Sequence, residues 1–330
     1  MRRFTAGAAW PNDGGMADDR PVLTLAHSAD PDDVFMWWPI TGVVDPVSGD
    51  AVTGPAMDTG RFRYRARAGD IAAFNRAARA GWGDDITALS VRAWADVAGV
   101  YALTGCGGSF GVGYGPKVVA RDGGMLADDL ARAGVRVAIP GRETSAFLAL
   151  ALRLGLTRET AADARFVEMA FDAIIPAVVE GRVEAGLVIH EGQVLFDQAG
   201  LREVVDLGAW WANARGGALP LGVNAVRRDL DARYGAGTVR EVAATLRASL
   251  AHALANREEA LRACVPFATI NARRSGVPVP NVATIDRYVG MYVNEYTVEM
   301  GERGRRAIER FLREGAEAGL CPPVGPVEAV

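Results

Sequence analysis

Residues 185–193 read AGLVIHEGQ, a short apolar run that passes straight into an imidazole, a carboxylate, a glycine and an amide. The run has the length and composition of a buried strand, which places His190 where that strand gives way to a loop. Four further runs rich in Val, Ile or Leu have the same character: VLTLAHS (22–28), DITALS (85–90), VRVAIPG (135–141) and EVVDLG (203–208). Helical patterns lie between them, and this alternation predicts an α/β chain with largely parallel sheets. In open α/β sheets ligands sit beyond the carboxyl ends of the strands. His190 therefore has three readings: a core histidine at a strand end, a metal ligand, or a base aimed into a cleft.

Outward from that stretch, RFRYRAR (61–67) alternates strictly, with Phe62 and Tyr64 on one face and arginines on the other, as a half-buried outer strand does. TSAFLALALRLGL (144–156) presents a broad apolar helical face through Phe147, Leu148, Leu150 and Leu152. Val242, Leu246, Leu250 and Leu254 recur four apart, and Ile308, Phe311 and Leu312 share a helical face, so the chain closes in helices. The middle segment has its own strand–helix alternation, and the glycine-rich TGCGGSFGVGYGP (104–116) before it reads as a passage between lobes. We expect lobe one at 20–118 plus 226–330, lobe two at 119–225, and a loose extension at 1–19.

The totals narrow the function. A chain of 330 residues, 50% hydrophobic, exceeds what one core usually organises. The net charge is −4, and Lys and Arg are scattered, so no nucleic-acid footprint is present. Three widely spaced cysteines with no CxxC pair speak against a disulfide framework or zinc ribbon and for a reducing compartment. The opening MRRFTAGAAWPNDGG lacks an apolar signal core, and no segment offers the roughly 18 uninterrupted apolar residues of a membrane span. The expectation is a cytoplasmic protein, with Met1 and Met16 as the two candidate starts.

Several motifs invite chemistry and are weighed against plainer readings. GGSFG (107–111) matches the pattern of a nucleophile elbow, but glycine, proline and a strand follow Ser109 where the elbow needs a helix. Lys117 lies outside a phosphate-loop pattern, and Pro116 replaces the third glycine of a dinucleotide fingerprint. The glycines read instead as sites where backbone approaches backbone or ligand. HSADPDDVFMWW brings His27, Asp30, Asp32 and Asp33 together, either as metal ligands or, more usually for this placement, as the cap of a helix start. PGRETSAFLAL (140–150) opens a helix at Thr144 and Ser145, equally a plain threonine cap or an anion receptor of free amides and hydroxyls. HEGQV lacks the second histidine of HExxH, and three unclustered histidines do not make a metal site. An imidazole with an ordinary pKa of ~6.5 does suit proton transfer near neutrality.

Taken in order, HSADPDDVFM, ITALSVRAWADV, GGSFGVGYGPKVVA, VAIPGRETSAFLAL, VEAGLVIHEGQ, DLGAWW, LPLGVNAVRRDL and MYVN make the chain resemble the 1,4-dihydroxy-6-naphthoate synthase family of the futalosine route to menaquinone, from about Leu23 to Leu320. The resemblance implies a fold like the type 2 periplasmic binding proteins, two Rossmann-like α/β lobes with a central cleft. It implies cleavage of cyclic dehypoxanthinyl futalosine to 1,4-dihydroxy-6-naphthoate, with no metal and no organic cofactor. His190 matches the family's proposed base, and Ser90, Thr144 and Ser145 match hydroxyl positions near the ligand. Asp33, Tyr114 and Gln193 complete the expected substrate contacts. The expected partner is a small-molecule carboxylate substrate, met by a monomer or homodimer without nucleic acid or membrane. Many members open on Ser-Pro-Cys-Pro-Asn-Asp, where this chain has Ser28-Ala-Asp-Pro-Asp-Asp33. A non-catalytic solute-binding protein of the same shape is the alternative, and the missing export signal and the complete IHEGQ favour the enzyme.

Overall fold

The structure, a computed structural model, describes residues 18–330 apart from 122 and 133, so the expected extension and both candidate starts lie almost wholly outside the described residues. The first part of the chain forms β1 (Val22–Ser28), α1 (Pro31–Thr41), β2 (Arg63–Gly69), α2 (Ile71–Arg79), β3 (Ile86–Ser90), α3 (Val91–Val97), β4 (Tyr101–Leu103) and β5 (Ser109–Gly111). The middle forms β6 (Lys117–Ala120), β7 (Val137–Ile139), α4 (Ser145–Arg153), α5 (Arg158–Ala161), β8 (Phe166–Glu168), α6 (Phe171–Val179), β9 (Ala185–Val188), β10 (Arg202–Asp206) and α7 (Leu207–Arg215). The last part returns as β11 (Leu219–Arg227), then α8 (Leu230–Tyr234), α9 (Thr238–Ala255), α10 (Arg257–Arg274), α11 (Val282–Tyr292), α12 (Glu295–Val298) and α13 (Gly301–Glu317).

Two sheets result. The first runs β2-β1-β3-β11-β4, with β5 also on β11, and the second runs β10-β6-β9-β7-β8. Each has one block of three parallel strands, β2-β1-β3 and β9-β7-β8, and β11 and β6 join those blocks antiparallel. The expectation of largely parallel sheets thus holds for three strands of each sheet. The strands that break it, β6 and β11, are those beside the two crossings, where the chain passes from one sheet to the other. The expected division also shifts. Lys117 and Val118 belong to the second sheet, and residues 219–225, expected in lobe two, belong to the first.

The arginine-bearing strand β2 is an edge strand, as its alternation predicts, with Phe62 and Tyr64 buried beneath it. Its charged face is solvated and paired outward, Arg61 with Glu241 and Arg67 with Asp84. Helix α1 is the opposite case. Every position in it is buried, because α9, α10 and α11 cover the sides that β1 and β2 leave open. Trp37 and Trp38 are therefore core residues. The three cysteines carry free, buried thiols.

One apolar core runs through both lobes: Leu89, Tyr101 and Phe110 of the first pack in the same cluster as Val118, Phe147 and Leu187 of the second. At the crossings the backbones touch. A Cβ on Gly208 would stand 1.8 Å from the carbonyl oxygen of Tyr114, and one on Gly111 would stand 2.0 Å from the same atom. Only glycine admits such an approach. Gly208→Ala is expected to destabilise the fold by ~3 kcal/mol or more, as overpacking against immovable backbone does. Urea unfolding checks this, with Gly99→Ala as a control for substitution at an exposed, open glycine of ordinary backbone conformation.

Candidate functional site

The cavity lies between the sheets, with ≈ 690 Å³ of atom-free space out to its mouth. The first lobe contributes Asp30, Asp32 and Asp33 from the start of α1, Ser90 from the end of β3, Ser109 from β5, Asn224 from β11, and Tyr288 and Tyr292 from α11. The second contributes Thr144, Ser145 and Ala146 from the start of α4, and Ile189, His190 and Gln193 from the segment after β9. No arginine or lysine is among the described residues that line it.

His190 stands two residues past the end of β9 and is 3% exposed. It is the only described non-glycine residue with positive φ, at 69°. Backbone strain of this kind persists only where the surroundings over-determine it. Its ring meets Phe171 edge-on, with centroids 4.7 Å apart. The Gly192 amide donates to Nδ1 at 2.9 Å, Glu191 Oε2 lies 3.4 Å from the same nitrogen, and Nε2 is buried without a partner. Burial alone lowers the pKa of such a ring. Here the Glu191 carboxylate, with Asp30 adding to it, outweighs burial and raises the pKa above the ordinary value of 6.5.

The opposite wall carries three carboxyls, those of Asp30, Asp32 and Asp33. Burial, then repulsion from Asp33, pushes the Asp32 carboxyl up to about 8, and burial likewise raises Asp30 and Asp33. Asp32 Oδ2 accepts from Ser109 Oγ at 3.3 Å, and Oδ1 is buried without a partner. Asp30 occupies the cap position of α1 but makes no side-chain cap bond. Asp33 reaches back instead, accepting from the Ser28 amide at 2.8 Å. Among the described residues no group of three His, Cys, Asp or Glu is placed to hold a metal ion.

Helix α4 answers both readings of its start. Thr144 is a true cap, accepting from the Phe147 amide at 3.2 Å while donating to the Gly141 carbonyl at 2.7 Å. Ser145 donates to the Leu221 carbonyl at 2.6 Å and accepts from the Arg92 amide at 3.2 Å, which joins the lobes. Both hydroxyl protons are thus committed to carbonyls. The donors left for an anion are the first amides of the helix, at Ser145 and Ala146, which have no intrahelical partner and stand at the positive dipole end.

Of the residues expected from the sequence, His190, Ser90, Thr144, Ser145, Asp33 and Gln193 line one cavity. Ser90 is held by Asn75, whose Nδ2 donates to its Oγ at 3.0 Å. Gln193 Oε1 accepts from Tyr292 OH at 2.8 Å, another bond between the lobes. Tyr114 does not join them. Its hydroxyl donates to the Met291 carbonyl and its ring packs against Tyr292, because the crossing backbone turns it toward α11. Tyr288 and Tyr292 are the residues that sequence reasoning missed. They lie four apart on one helical face, a spacing that marks a shared surface but not the surface it meets. Trp37, Trp38, Trp210 and Trp211 supply no cavity wall among the described residues.

Two α/β lobes with a polar cavity between their sheets define the class of periplasmic-binding-protein-like folds. The alkanesulfonate-binding protein SsuA from Xanthomonas axonopodis pv. citri, bound to MOPS, shares this fold with TM-score 0.57 at 14% identity, covering 97% of this chain and 98% of its own. A crystal structure of a protein from Archaeoglobus fulgidus matches with TM-score 0.74 and 33% identity over 91% of this chain and 98% of that one. The sequence profile of the menaquinone biosynthesis family matches residues 23–317. A relative from Thermus thermophilus named 1,4-dihydroxy-6-naphthoate synthase is 36% identical over 303 residues, 92% of this chain and 97% of its own length. The chain belongs to this menaquinone biosynthesis family.

The raised Asp32 carboxyl has a thermodynamic signature. Its folded pKa of about 8 lies above the ordinary 3.8, so between those values the unfolded chain releases a proton that the folded one keeps. The folded state therefore loses stability as pH rises through that window. Asp32→Asn removes the titration and keeps an acceptor for Ser109. Its melting temperature is expected to exceed the parent's by several degrees at pH 8, with the gap closing toward pH 4. Calorimetry across that range checks it.

Proposed function

We propose that the protein catalyses the 1,4-dihydroxy-6-naphthoate synthase reaction in menaquinone biosynthesis, acting as a carbon–carbon lyase on cyclic dehypoxanthinyl futalosine. The observation that carries this reading is the position of His190, held by a strained backbone in the wall of the interlobe cavity opposite a row of buried carboxyls. In the proposed reaction the imidazole takes a proton from an acidic C–H of the spiro-cyclic substrate. The electron pair so released drives carbon–carbon cleavage, the ring system becomes aromatic, and the sugar-derived fragment departs. A placed base of this kind contributes ~10²–10⁴-fold.

The amides of Ser145 and Ala146 receive the substrate carboxylate, and closure of the lobes around it excludes water. Asp32, uncharged at neutral pH, faces the oxygen-rich end without repelling the substrate's anion. No metal or organic cofactor enters the proposal. A cytoplasmic site of action fits three free thiols and the absence, among the described residues, of any helix long and apolar enough to cross a membrane. The fold alone also suits a solute-binding module. The family match and the synthase relative, extending over nine-tenths of the chain, support the enzyme.

Incubating purified protein with the cyclic futalosine and following naphthoate absorbance tests the reading. Turnover is expected from the parent, with a loss of at least ~10²-fold in kcat for His190→Ala and near-normal binding of a product analogue. Saturable binding without turnover by the parent would leave the solute-binding module standing instead. The base works only when neutral and its pKa lies above 6.5, so kcat/KM should climb with pH along an acidic limb whose midpoint exceeds that value.

A further inference from the structure

His190 as it stands carries a chemical contradiction. The Gly192 amide donates to Nδ1, which makes Nδ1 an acceptor, so the neutral ring must carry its proton on Nε2. A ring in that tautomer has no lone pair on Nε2 with which to take a proton, and its Nδ1 lone pair is already engaged. The residue beside it supplies the resolution. Glu191 is 3% exposed, neither of its carboxyl oxygens has a hydrogen-bond partner, and Oε2 lies 3.4 Å from Nδ1. An unpartnered buried carboxyl is costly unless something gives it a partner.

We propose that Glu191 is the positioning residue for His190: its carboxylate accepts an Nδ1 proton in place of the Gly192 amide's hold on that nitrogen, and so frees the Nε2 lone pair to act as the base. The single proton of the neutral ring moves from Nε2 to Nδ1. When Nε2 then takes the substrate proton, the imidazolium formed remains hydrogen-bonded to Glu191 through Nδ1. This rests on the reading of His190 as the base. The positive φ of His190 fits the role, since it turns the ring back over its own loop, where both the Gly192 amide and the Glu191 carboxylate can reach one nitrogen. The other ionisable groups near the pair are Asp30 and Asp32 at the start of α1, Asp70 at the start of α2 and Tyr288 on α11. Burial is the first cause raising the pKa of each. Glu191 is the one whose carboxyl reaches the ring, 3.4 Å from Nδ1.

Two variants and one spectroscopic measurement test this. Glu191→Ala is expected to lower kcat at least ~10-fold with KM changed by less than ~3-fold, because an orienting carboxylate acts on the transition state rather than on binding. Glu191→Gln keeps size and an acceptor but loses the charge, so it should retain more activity than Glu191→Ala and move the acidic limb of kcat/KM to lower pH. With only three histidines in the chain, ¹⁵N-histidine spectra resolve the ring of residue 190. The parent should pass from the Nε2–H to the Nδ1–H form when a product analogue binds, and Glu191→Ala should stay in the Nε2–H form. Parent-like kcat and an unmoved limb in both variants, with His190→Ala inactive, overturn the role of Glu191 alone. Parent-like turnover in His190→Ala overturns the base itself. If Glu191→Ala does not fold, the limb and spectrum of Glu191→Gln decide.

Discussion

The architecture depends on a seam. Helix α4 of the second lobe presses its apolar face into a core shared with the first, and Ser145 at its start spans from the Leu221 carbonyl to the Arg92 amide. Burying a side chain such as Phe147 or Leu148 is worth ~1.5–3 kcal/mol, whereas a neutral hydrogen bond nets ~1. Apolar contact therefore holds the lobes together, and the serine fixes their register. The cavity exists because the seam closes one side of the cleft and leaves the other to polar side chains. Where Tyr292 reaches Gln193, a single polar bond does the work that packing does elsewhere.

The same constraint explains the electrostatics. Bringing the start of α1 against the segment after β9 removes water from Asp30, Asp32 and Asp33, so these carboxyls hold their protons more tightly than free ones do. On the facing side burial would strip the charge from His190, and the adjacent carboxylate opposes it. Both walls therefore hold protons more tightly than their residue types do in water, the carboxyls through burial and the imidazole through its carboxylate neighbour. Sites with displaced titrations of this sort are where proton chemistry is found.

Much of this was legible in the sequence. The five quoted apolar runs all contain strands, RFRYRAR is the edge of a sheet, and His190 lies just past a strand end because the change from AGLV to HEGQ marks where burial stops. The glycines of 104–116 announced a close backbone approach, though not which carbonyl they would meet, and Gly208 gave no such signal. Illegible were the features that depend on distant pairing. Leu219–Arg227 reads as a strand of either lobe until β3 and β4 claim it. Tyr288 and Tyr292 arrive from a helix about a hundred residues past His190, while Tyr114, close to the site in sequence, is carried away from it by the crossing. The hydroxyls of Thr144 and Ser145 were visible as donors, but their engagement with Gly141 and Leu221 was not, because carbonyl partners leave no mark in a sequence.

The composition of the cavity wall also determines what it turns away. A cell is crowded with phosphorylated sugars and nucleotides, many of them similar in size to a nucleoside-derived acid. Each brings two negative charges that must exchange water for protein. Here such a guest would find the ends of a few peptide dipoles and one imidazole, with no guanidinium or ammonium among the described lining residues, while three nearby carboxyls would be held still more firmly to their protons. The desolvation penalty would go uncompensated. Selection against phosphate esters is built from what the wall omits, and it needs no residue devoted to rejecting them.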